Sequence, residues 1–95
     1  RPVAAPRAAG VANLGELMRR AKCLVAGPTL ALVVQEAKRL LNLQARLTEG
    51  DVAAACRAVA DCGMDTVQLG AVHDIFREVA PARAWPEALR QGCED

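Results

Sequence analysis

Apolar residues recur at helical spacing in successive runs, punctuated by glycine, proline and capping residues. The longest run opens at Gly27-Pro28-Thr29 and meets no further breaker before Gly50. Within it Leu30, Val33, Val34, Ala37, Leu40 and Leu41 fall on one side of a helix, and Gln35, Lys38, Arg39, Asn42 and Arg46 fall on the other. The pattern predicts a helix from Pro28 or Thr29 to Arg46 or Leu47. Pro28 suits its first turn, where the missing N–H has no helical partner, and Arg46 complements the negative end of the dipole. So wide an apolar stripe needs neighbours, because a lone amphipathic helix is marginal in water.

The flanking runs supply candidates. A first helix is expected from Asn13, with Asn13 and Glu16 as a capping box, an apolar stripe through Leu14, Leu17, Met18, Ala21, Leu24 and Val25, and Gly27 as its stop. A third begins at Thr48-Glu49-Gly50-Asp51, a capping-box variant, buries Val52, Ala55, Cys56 and Val59, and stops at Gly63. Its small side chains let a neighbouring backbone come close, which predicts the most central position. A fourth is capped by Asp65 with Gln68, buries Leu69, Val72, Ile75, Phe76 and Val79, turns His73, Asp74 and Arg77 outward, and ends at Pro81. A short fifth spans Pro86 to Gln91 before Gly92, with Trp85 as a lid. The expected connections are short, so consecutive helices should lie side by side and antiparallel.

Composition reinforces this picture. The 95 residues suit one small domain, and the hydrophobic share of 53% is rich in alanine while aromatics reach only 2%. Good helix formers dominate and strand-like alternation is absent. The expected fold is all-α: a compact antiparallel bundle of four main helices plus a short C-terminal helix, or two stacked α-hairpins. Residues 1–12, rich in Pro, Ala, Gly and Arg, read as a linker or tail, and 13–95 as the helical domain. A chain with no initiator Met and no signal-peptide pattern is expected to be a segment of a longer intracellular protein, nuclear or cytoplasmic. No run is long enough to span a bilayer.

Charge and candidate chemistry narrow the function. Net charge is +1, which offers no bulk attraction to nucleic acid or an anionic membrane. The four cysteines, Cys23, Cys56, Cys62 and Cys93, sit in or beside predicted helices rather than at loop staples, as expected of thiols in a reducing compartment. Cys56, Cys62 and His73 lack the close ligand pair of a zinc site, and Asp61 and Asp65 flank a turn without the alternating oxygens of a calcium loop. Nothing in the spacing brings His73 to a cysteine, and no phosphate loop, dinucleotide fingerprint or nucleophile elbow occurs. Neither an enzyme nor a cofactor is expected.

One resemblance stands out. A shift of 35 residues aligns Asn13 with Thr48, Glu16 with Asp51, Leu17 with Val52, Ala21 with Cys56, Lys22 with Arg57 and Leu24 with Val59. Periods in the mid-thirties belong to α-hairpin solenoids. The segment DVAAACRAVADCG…AVHDIFREV, ending in Phe76, Glu78 and Val79, resembles a pentatricopeptide-like hairpin. The resemblance implies helical scaffolding or single-stranded RNA binding. The first hairpin departs from the pattern in Pro28 and in its long second helix, so no RNA-reading residue is carried over.

These readings lead to a non-enzymatic protein–protein interaction domain that binds a partner helix or peptide in an inter-helix groove, with RNA as the alternative ligand. The expected groove walls are the second and fourth helices. The expected partner-binding residues are Leu32, Leu43 and Leu47, apolar positions beyond the main stripe or at the overhanging end of the second helix. Arg19, Arg20, Lys38 and Arg39 are expected to form a positive face beside them.

Overall fold

The structure is a computed structural model that describes residues 14–89. Among them are four α-helices and no strand: α1 (Leu14–Lys22), α2 (Gly27–Leu43), α3 (Glu49–Ala60) and α4 (Thr66–Val79). Two 3-10 turns, Gln44–Arg46 and Ala82–Ala84, follow α2 and α4. The chain is all-α, as the pattern predicts. The expected cap at Asn13, the linker over 1–12 and the end of the fifth helix lie outside the described residues; within them the chain is helical again from Glu87 to Leu89.

The predicted caps of α3 and α4 are present. The Thr48 hydroxyl accepts from the Asp51 N–H while the Asp51 carboxylate accepts from the Thr48 N–H, and Asp65 and Gln68 exchange the same pair of bonds. Each box satisfies two amides that the first turn leaves without helical partners. Gly63 takes φ +84, a conformation open to glycine at little cost, and so ends the α3 turn. At its other end the Gln68 amide donates to the Leu24 carbonyl at 3.1 Å, which fastens the start of α4 to the chain leaving α1.

Three boundaries differ from expectation. α1 stops at Lys22, and Cys23 to Ala26 form a turn in which the Leu24 and Val25 amides both donate to the Ala21 carbonyl. Gly27, at φ +64, therefore opens α2 rather than closing α1. α2 stops at Leu43 because Gln44 adopts φ 50, the one positive φ outside glycine among the described residues. A non-glycine residue held there costs about 1–3 kcal/mol. The surroundings offset it: the Arg83 guanidinium donates to the carbonyls of Ala45 and Leu47, and the redirected chain puts Leu47 into the core at 3% exposure.

One end of the bundle gathers Val25, Thr29, Cys62, Met64 and Gln68 around a common depression. The start of α2, the end of α3 and the start of α4 therefore lie together, and the helices alternate in direction along the chain. The core is built from Leu17 and Ala21 of α1, Val33, Ala37 and Leu40 of α2, Val52, Ala55, Cys56 and Val59 of α3, and Val72, Ile75 and Phe76 of α4. α2, not α3, is the hub, with the most extensive helix contacts and all three other helices against it. Among the described residues it is also the longest helix, at seventeen residues. Trp85 is fully buried, with its indole N–H donating to the Ala80 carbonyl at 3.1 Å, and closes the bundle below α3 and α4 as a lid.

Candidate interaction groove

Among the described residues α1 spans nine residues and α2 seventeen, about 25 Å at roughly 1.5 Å per residue. One side of α2 forms an open groove of about 720 Å³, walled by Met18 of α1 and by Gly27, Leu30, Ala31, Val34, Gln35, Lys38, Arg39 and Asn42 of α2. Leu30 and Val34 are half-buried at its floor, and Ala31, Gln35, Lys38 and Asn42 are exposed on its rim. Met18, 40% exposed, is one of two large hydrophobic side chains left open among the described residues. The other, Val67, stands in the first turn of α4, away from this groove.

The groove is graded. Its apolar end carries Met18, Leu30, Ala31 and Val34; its other end carries Lys38, Arg39 and Asn42. Arg39 is already engaged. Its guanidinium bonds the nearly buried Glu36 carboxylate at 2.8 and 3.1 Å, donates to the Asp51 carbonyl at 3.1 Å and lies 3.6 Å from the Asp51 carboxylate. It thus ties α2 to α3. The Lys38 side chain has no ion pair and no hydrogen bond among the described residues and is exposed.

The structure redistributes the residues expected to bind a partner. Leu47 belongs to the core, contrary to the expectation of an overhang, because α2 ends at Leu43, three or four residues early, and the chain turns Leu47 inward. Leu32 and Leu43 are half-buried and pack against the core. At about 100° per residue they stand roughly 120–140° around α2 from Lys38, on the other flank of the buried stripe. This groove lies between α1 and α2, whereas the expected walls are α2 and α4. Met18, Leu30 and Val34, which form its apolar end, were assigned to buried stripes by their spacing. The width of the α2 stripe is the signal that could have marked them, since a stripe that wide need not be covered along both edges.

The expected positive face is divided. Arg19 and Arg20 line a separate cleft between α1 and α4, with Cys23, Ala71 and Asp74. Arg19 pairs with Glu16 at 2.6 Å, which raises the guanidinium pKa and lowers that of the carboxyl. Arg20 pairs with Glu78 and so joins α1 to α4.

Of the second polar cluster expected to point outward, Asp74 is exposed, while His73 and Arg77 are half-buried. His73 is half-buried, its ring edge-on to Trp85 with centroids 6.2 Å apart. Arg77 lies over the same indole at 5.1 Å from the ring centroid, a cation–π contact, and pairs with Asp74 at 2.7 Å. The His73 Nε2 is buried with no hydrogen-bond partner among the described residues. Burial pushes the imidazole pKa down, the Arg77 charge adds to that, and Asp74 opposes it. Among the described residues no group of three or more His, Cys, Asp and Glu is placed to hold a metal ion, and no helix is long and apolar enough to cross a membrane.

At the positions aligned by the 35-residue shift, Leu17 and Val52 are both buried, as are Ala21 and Cys56, while Leu24 is only partly buried where Val59 is fully so. The departure falls where α1 has already ended and α3 continues. Comparison with known proteins gave no match to a family model, a curated protein or a solved structure.

Proposed function

We propose that this chain is a non-enzymatic interaction domain that receives an amphipathic helix of a partner protein along the groove between α1 and α2. The observation that carries the reading is the groove itself: an apolar floor of Leu30 and Val34, flanked by the exposed Met18, on the longest helix of the bundle. A helix laid in such a groove uses anchors at i, i+3, i+4 and i+7. Methionine suits the role because its flexible thioether adapts to different apolar surfaces. The intracellular setting, nuclear or cytoplasmic, is part of this proposal and rests on the placement of the cysteines in or beside helices rather than at loop staples.

The alternative, an α-hairpin fragment binding single-stranded RNA, draws less support. Arg19, Arg20 and Arg39 are held in ion pairs, and the first two face a different cleft from Lys38 and Arg39. Phosphate contact is strongest at low salt, so an oligonucleotide that fails to bind there removes the RNA reading.

The helix-binding reading is tested by selecting displayed amphipathic peptides against the domain, then counter-selecting with the double variant Met18→Gln/Ala31→Gln. Both positions are solvent-exposed, so the fold should survive, as circular dichroism would show. Peptides that bind the domain but not the variant, and that shift amide resonances of Met18 and residues 30–42, support the reading. If every binder ignores the variant, the groove is not the docking site.

A further inference from the structure

The grading of the groove says what kind of helix fits it and which way round. We infer that the partner helix is acidic at its N-terminal end and lies antiparallel to α2, with its first turn beside Lys38 and its apolar anchors on Leu30, Val34 and Met18. This rests on the helix-docking reading above and specifies its occupant. Three observations lead to it.

First, the groove walls contain no carboxylate among the described residues. Their two cations are Lys38, which has no ion-pair partner among the described residues, and Arg39, whose carboxylate contacts come from Glu36 and Asp51, which do not line the groove. A helix that covers this surface with apolar or basic side chains leaves the Lys38 ammonium partly desolvated without a counter-charge, which is costly. An acidic side chain supplies the counter-charge in a setting drier than open surface, where an ion pair is worth more than in bulk water.

Second, the cation stands at one end. From Leu30 to Asn42 the groove follows α2 for about 18 Å, or three to four turns at about 1.5 Å per residue. Lys38 falls in its C-terminal half, and the apolar side chains of Leu30, Ala31 and Val34 in its N-terminal half. An acidic residue near the N-terminus of a partner helix also interacts favourably with that helix's own dipole. The orientation that places an acidic first turn at Lys38 is the antiparallel one, in which the dipoles of α2 and the partner oppose each other.

Third, the same features disfavour a second copy of this chain. A two-fold pairing of α2 with itself about Val34, or midway between Val34 and Gln35, sets Lys38 opposite Leu30 or Ala31 of the copy, with no groove carboxylate among the described residues to meet it. The polar end would cover the apolar end.

The experiment uses a displayed library of helical peptides about 15 residues long, with apolar anchors at helical spacing and both terminal turns randomised. Binders are kept only if they are lost with Met18→Gln/Ala31→Gln. We expect Asp and Glu to be enriched in the first turn and not in the last. A selected peptide should lose roughly five- to tenfold in affinity against Lys38→Glu, and selection against Lys38→Glu should enrich Lys and Arg in the same turn. Binding should weaken between 50 and 500 mM salt. Groove-dependent binders with no charge bias, or with acid in the last turn, overturn the acidic, antiparallel partner while leaving the docking site intact. An absence of groove-dependent binders overturns both. Concentration-dependent dimerisation that Met18→Gln/Ala31→Gln abolishes assigns the groove to a second copy and likewise overturns the inference.

Discussion

Leu47 is where spacing and structure disagree most, so its truncation tests the fold most sharply. If it were an exposed overhang of α2, Leu47→Ala would change stability by less than about 0.5 kcal/mol, as most surface substitutions do. In the structure it is 3% exposed and packed among the core side chains. Truncation removes three carbons at about 0.8 kcal/mol each, or roughly 2.4 kcal/mol of transfer free energy. Incomplete collapse of the cavity brings the expected loss to about 3 kcal/mol, within the range of about 2–5 kcal/mol for buried Leu→Ala changes. That is a large part of the stability of a small domain, about 5–15 kcal/mol. With a urea m-value of about 1–1.5 kcal/mol/M, the midpoint should fall by about 2–3 M. The measurement is urea unfolding followed by far-UV circular dichroism, with Leu43→Ala and Lys38→Ala alongside. Leu43 is half-buried and should lose about 1–2 kcal/mol; Lys38 is exposed and should stay within about 0.5 kcal/mol of the parent. A Leu47→Ala midpoint no lower than that of Lys38→Ala, at unchanged m-value, would refute the burial of Leu47 and restore the overhang.

The remaining predictions concern caps, glycines, the Glu36–Arg39 link and pH. Thr48→Ala should cost about 1 kcal/mol as a lost N-cap, and Gln68→Ala should cost more, because it removes both a capping bond and the bond to the Leu24 carbonyl; thermal melts compare the two. Gly63→Ala should destabilise by about 1–2 kcal/mol because its φ is +84. Gly70→Ala, inside α4 with open space around its would-be Cβ, should stabilise by about 0.5–1 kcal/mol, and equal shifts in the two melts would contradict the assigned backbone. Arg39→Ala should lose about 1–2 kcal/mol, since it strands the nearly buried Glu36 carboxylate; a double-mutant cycle with Glu36→Gln should show coupling, and additive losses would count against the link. His73 has a pKa below its ordinary 6.5 in the folded chain, so the unfolded chain takes up the proton first as pH falls. Its contribution is whole above about pH 6.5 and is lost as the pH drops through the lowered value. Urea midpoints from pH 7.5 to 4.5 should show that loss in the parent and not in His73→Gln, and matching profiles would refute it.

The residues that face the groove on α2 are the same residues whose spacing identified α2 as a helix. Leu30 and Val34 satisfy the helical period equally well as core or as groove floor. Which they become depends on which neighbours pack over that side of α2, and among the described residues Met18 alone reaches it from another helix. Met18 itself stays 40% exposed. Arg39 could be recognised from its sequence position as polar and outward, but not as the link to Asp51, because an i,i+3 pair with Glu36 is local whereas Asp51 arrives from another helix. His73 and Arg77 were expected in solvent on periodicity alone; Trp85, a dozen residues later in the chain, folds back against both.

Local chemistry therefore determined the helices of the described chain, the capping boxes at Thr48 and Asp65, the glycine turn at Gly63 and the buried stripes of α3 and α4. Each depends on residues within a few positions of one another, where backbone geometry and side-chain reach leave few alternatives. The tertiary structure decided the positive φ at Gln44, the burial of Leu47, the inward turn of His73 and the side of α2 that stays uncovered. These depend on pairings between distant segments: Arg83 with the carbonyls of Ala45 and Leu47, Trp85 with α4, and α1 laid against α2. A helical period states which side chains share a face. It does not state how much of that face a neighbour will cover, and the uncovered part is the surface to which the function is assigned.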